Sequence, residues 1–147
     1  MSTADAWENG QLNLVFNNTA FTGLGDAGGL LPSAAAGNIY VSLHTADPGE
    51  SGNQSTNETG YGGYTRQGKT RAGTEFTVVA GVATNVSDIV FPIVASGGPV
   101  TFTHVGIGTA VSGTGKLMYS GALTTPKTAQ NGDAPKILAG SLTITIT

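Results

Sequence analysis

Cysteine is absent from the 147 residues, which excludes a disulfide scaffold, thiolate zinc sites and a cysteine nucleophile together. Charge is scarce. Lys, Arg, Asp and Glu make up 10% of the chain, against about 25% in ordinary soluble domains. The six Lys and Arg residues are spread from Arg66 to Lys136 and the net charge is −3. No basic stripe exists to follow a phosphate backbone, so no nucleic-acid partner is expected. No uninterrupted apolar run approaches the ~18–20 residues of a membrane span, so no membrane partner is expected either. The opening MSTADAWENGQLNLVF has neither a basic n-region nor a continuous apolar h-region. Synthesis in a cytoplasm without a secretory leader is the expectation.

What is present is glycine, at 23 residues, with Thr, Ser and Asn carrying most of the polarity. A free cytosolic protein normally stays in solution through Lys and Glu on its surface. A chain without them either works outside cells or has much of its surface covered by neighbours, and an assembly subunit fits better than a secreted monomer. A lone β domain of unusual composition is the plainer alternative. The length suits one compact fold, large enough to bury roughly 70% of the unfolded chain's surface.

The residues divide at 37/38. Ala4–Phe16 is the only segment with helical spacing, Trp7, Leu12, Val15 and Phe16 roughly sharing a face, although Gly10 costs ~1 kcal/mol relative to Ala. From 17 to 37 the glycines and Pro32 disfavour regular structure, and the stretch reads as an extended arm with apolar anchors at Phe21, Leu24, Leu30 and Leu31. These side chains are candidate interface residues, or else they cap one edge of the chain's own core. Residues 38–147 then switch to a period of two. Ile39, Val41 and Leu43 alternate with Tyr40, Ser42 and His44, a half-buried strand that Asp47-Pro48-Gly49 ends. Further strands are expected at 64–71, 75–79, 82–87, 89–91, 100–109, 116–120 and 142–147. Ala80-Gly81 reads as a tight hairpin turn, and 50–60 and 125–133 read as polar loops. Many short strands without intervening helices predict an all-β fold, an antiparallel β-sandwich of about eight strands. Gly106 and Gly108 mark a central strand on which something packs closely.

Catalytic signatures are missing: no G-x-S-x-G elbow, Walker A loop or H-E-x-x-H is present. His44 with Asp47 has the elements of an oriented general base, but a strand-end His followed by a turn Asp is more often a local capping contact. The loop carboxylates Asp47, Glu50 and Glu58 are candidate hard-cation ligands, without the spacing of a calcium loop. No catalytic residue, metal or cofactor is therefore assigned. Tyr61, Tyr64 and Arg66 form an aromatic-plus-arginine group of the kind that anchors interfaces, or equally a cross-strand group within one sheet.

In combination these segments resemble a family of small phage and prophage virion proteins. The resemblance rests on Asn38-Ile39-Tyr40-Val41-Ser42-Leu43-His44-Thr45-Ala46-Asp47-Pro48-Gly49, Gly62-Gly63-Tyr64-Thr65-Arg66, Phe91-Pro92, the block from Thr103-His104-Val105-Gly106-Ile107-Gly108 through Gly113, Gly115, Leu117 and Tyr119 to Leu123, and the closing AGSLTITIT at 139–147. It covers about 38–147 and not the glycine-rich arm. Such proteins are commonly labelled tail-fibre proteins. The resemblance implies a structural part of a virion made in a host bacterium's cytoplasm, with further copies of itself and other virion proteins as partners, and it brings no catalytic residues. The compact size, the arm and the lack of a shaft repeat lead to the expectation of a capsid decoration (cement) protein on the major capsid protein. A tail fibre, adaptor or other tail subunit is the alternative.

Overall fold

The computed structural model describes residues 2–146; Thr147, the end of the expected last strand, lies outside them. The order is α1 (Asp5–Asn17), β1 (Asn38–His44), β2 (Gln67–Thr70), β3 (Phe76–Val79), β4 (Val82–Asn85), β5 (Ile89–Val90), β6 (Val100–Gly108), β7 (Leu117–Ala129), β8 (Lys136–Ile137) and β9 (Thr143–Thr145). The fold is all-β with one short N-terminal helix and several antiparallel sheets, of the sandwich-like class expected. It comprises two compact units. One takes the N-terminal residues through Asn38, Thr70–Asp88 and the residues from Ile137 onward; the other takes Ile39–Lys69 and Ile89–Lys136.

In the first unit, α1 forms because Leu12 and Phe16 fall on one face, and both are fully buried. The Phe16 ring lies 4.8 Å from that of Phe76 on β3. The β3–β4–β9 sheet is antiparallel, with Phe76, Ala83 and Ile144 buried on its inner side. Ala80 and Gly81 both have positive φ, 49° and 74°, as a two-residue turn matching strand twist requires. The helix ends at Asn18 in the left-handed region. The Arg71 guanidinium then donates to the carbonyls of Val15 and Leu14, which have no partners within the helix.

Residues 18–37 contain no helix or extended strand, but they are not a loose arm. Phe21 and Leu30 exchange backbone hydrogen bonds, both 2.9 Å, and Asn18 pairs through its side chain with the backbone of Ser33. The Phe21 ring meets Trp7 edge-on at 4.8 Å. It lies so close to α1 that a Cβ on Gly10 would stand 2.6 Å from it. Gly10 is thus the place where the folded-back segment touches the helix.

In the second unit the sheet order is β2-β1-β6-β7. Ile39, Val41 and Leu43 are buried as expected, but Ser42 and His44 on the opposite face are buried too. β1 is covered on both faces, not half-buried. The apolar-free loop expected over 50–60 reaches His44 through the Thr56 carbonyl and buries its own Gln54 against Gly108. The other expected polar loop is corrected in part: β7 continues through Ala129. Pro126 is compatible because β7 is the last strand of its sheet and 123–126 bulge out opposite Thr103 alone. β2 starts at Gln67, later than expected, because the preceding side chains serve the cluster described next.

Candidate functional site

Tyr61, Tyr64 and Arg66 are brought together, and they face inward. Arg66 is 6% exposed and Tyr61 5%. Arg66 Nε donates to Glu58 Oε1 at 2.7 Å and Nη2 to Oε2 at 2.7 Å, a fork-to-fork pair. Its remaining donors reach the carbonyls of Ala110 at 2.9 Å and Gly113 at 2.6 Å. The Tyr64 hydroxyl donates to Glu58 Oε1 at 2.9 Å and accepts from the Leu43 N–H at 3.0 Å; burial pushes its pKa far up. The Tyr61 hydroxyl donates to Pro92 O at 2.8 Å, and its ring meets that of Tyr64 edge-on at 5.3 Å. Glu58, which the sequence offered as a hard-cation ligand and not as the partner of this group, is the hub of the Tyr64 and Arg66 contacts. The group holds its own loops to its own sheet.

Beside it, His44 Nδ1 lies 2.9 Å from Thr56 O. A carbonyl only accepts, so Nδ1 carries the proton, and Nε2 accepts from the Ser42 hydroxyl at 2.8 Å. Burial lowers the His44 pKa below its usual 6.5, opposed by the Thr56 bond and the Glu58 charge. A hydroxyl on a neutral imidazole is nucleophile–base geometry, yet both side chains are fully buried. A Cβ on Gly106 would stand 2.6 Å from Nε2 and 2.8 Å from Ser42 Oγ, so the β6 backbone occupies the space a reacting group would need. Asp47 takes no part; its Oδ1 accepts from the Gly49 N–H.

Gly108 admits Gln54 in the same way: a Cβ there would fall 2.1 Å from Gln54 Cδ, whose Oε1 accepts from the Ala110 N–H at 2.8 Å. The close approach foreseen on β6 is therefore that of His44, Ser42 and Gln54. The two glycines signalled it; no local pattern identified which side chains would arrive.

The four arm residues separate. Phe21 is used on its own helix, while Leu24, Leu30 and Leu31 remain 40%, 42% and 71% exposed. Of the expected interface residues, these three are the most exposed. Among the described residues no group of three His, Cys, Asp or Glu side chains is gathered around one point, and no helix is long and apolar enough to cross a membrane.

No curated protein matches the chain. A family model described as podophage GP4 fiber I protein gp80 matches residues 2–145, which includes the arm that the recognised motifs left out. With nearly every residue covered, the chain belongs to this podophage fibre protein family and is a structural protein of the phage virion.

Proposed function

We propose that the chain is a tail-fibre subunit of a podophage that acts by burying surface against other virion proteins and catalyses no reaction. The family match over 2–145 carries the fibre assignment. The absence of a reaction is supported by the use of His44, Ser42, Glu58, Tyr64 and Arg66 inside the fold. Exposed Leu24, Leu30 and Leu31, on a chain with 10% charged residues, suit contacts made by apolar burial, each such side chain contributing about 1.5–3 kcal/mol when fully covered.

Counting copies in purified particles tests the location. A number set by the low-fold symmetry of the tail is expected. A number matching the shell lattice would replace this reading with capsid decoration, which the compact chain without a shaft repeat favours. Retention on particles through a salt series tests the mode of binding. Apolar contacts hold as salt rises, whereas steep release at moderate salt would show a charged docking face.

A further inference from the structure

The sheet of the second unit ends in two unlike edges. β2 is four residues long and carries Lys69. β7 is thirteen residues long and is the last strand on the other side. Exposed edges invite pairing with another chain unless they are short, charged, bulged or broken by proline. β7 has most of such guards in its second half, the bulge at 123–126, Pro126 and Lys127, and in its first half only the single-residue irregularity at Met118. Its first half, 117–122, has no charge and no proline, and from Tyr119 to Ala122 it pairs with β6 residue for residue. Ser120, Gly121 and Ala122 are exposed, and a Cβ on Gly121 would meet nothing within 4 Å. Their small side chains leave the outer edge approachable.

We propose that this half of β7 pairs antiparallel with the same segment of a second copy, about a two-fold axis near Ser120, joining the two sheets into one. A second copy is the occupant that the chemistry favours. A two-fold axis sets one edge's order of N–H and C=O groups against the same order reversed, so donors meet acceptors without any further sequence requirement. The uncharged segment brings no like charges face to face, and a charged peptide would find no counter-charge on it. The inference deepens the virion-subunit reading by naming one partner, yet it is measured on free protein, so loss of particle binding alone leaves it standing.

Sedimentation of the full chain across a concentration series should show a monomer–dimer equilibrium. Ser120→Glu puts two carboxylates opposite each other at the axis and should shift the protein to monomer with its circular dichroism unchanged. Because the chain lacks cysteine, Ser120→Cys should oxidise to a covalent dimer, whereas Gly73→Cys, at an open site in the first unit, should not. A wild type that stays monomeric, a dimer that survives Ser120→Glu, or a Ser120→Cys variant no quicker to cross-link than Gly73→Cys overturns the proposal.

Discussion

The two units solve the same problem with different chemistry. The first is held mainly by rings and aliphatic side chains, Phe16 on Phe76 with Leu12, Ala83 and Ile144 buried in the same unit, and by one buried polar side chain, Asn85, bonded to the backbone of Ser87, Leu138 and Leu142. The second buries Ser42, His44, Gln54 and Arg66 alongside its apolar residues, because a long loop with no apolar side chain must be fastened over a sheet. Apolar burial is non-directional and tolerates shape changes at modest cost. A buried polar network specifies one arrangement and is costly when half-satisfied. The second unit thus relies more heavily than the first on contacts that tolerate little error.

The sharpest way to break the comparison is Arg66→Met. It leaves the Glu58 carboxylate buried without its cation and the carbonyls of Ala110 and Gly113 without that donor, so denaturant unfolding should show a loss of about 3–5 kcal/mol. Adding Glu58→Gln should recover part of the loss, which a purely steric role for Arg66 would not allow. Phe16→Ala in the first unit should cost a similar ~3–5 kcal/mol through cavity formation. It should not change the pH dependence.

Glycine-to-alanine changes separate the units next. Gly106→Ala should cost about 1–3 kcal/mol because its Cβ meets His44 and Ser42, which have no room to move. In Gly10→Ala the obstacle is the Phe21 ring, which the folded-back segment and Trp7 hold in place. The ~1 kcal/mol gain in helix propensity should offset its displacement, and thermal unfolding should move little.

Acid supplies a smaller test. His44 has a folded pKa below 6.5, so the unfolded chain takes up the proton first as pH falls. The stability due to this histidine is complete above pH 6.5, declines as pH drops through the lowered folded pKa, and levels off beneath it. In urea titrations across this range His44→Gln should remove that slope, while Phe16→Ala keeps it. One change should be a small gain: Ala80→Asn suits the positive φ of the β3–β4 turn and should raise stability by about 0.5–1 kcal/mol.

Local pattern accounted for much of this protein. The period-two alternation of Ile39, Val41 and Leu43, the helical face of Leu12 and Phe16, and the Ala80-Gly81 turn were legible because each depends on neighbours within a few residues. The extension of β7 past Pro126 was not, since only its edge position makes proline acceptable there. Scarce charge and missing catalytic motifs pointed by themselves to a subunit of an assembly. Tertiary structure alone decided which residues are spent inside. Phe21 had a helix to lie on once the chain turned back after Asn18, Tyr61 was drawn inward by the Pro92 carbonyl, and Tyr64 and Arg66 by Glu58 and by carbonyls 44 and 47 residues along the chain from Arg66. Partners so far away in sequence leave no periodicity; only the folded backbone brings them within hydrogen-bond reach.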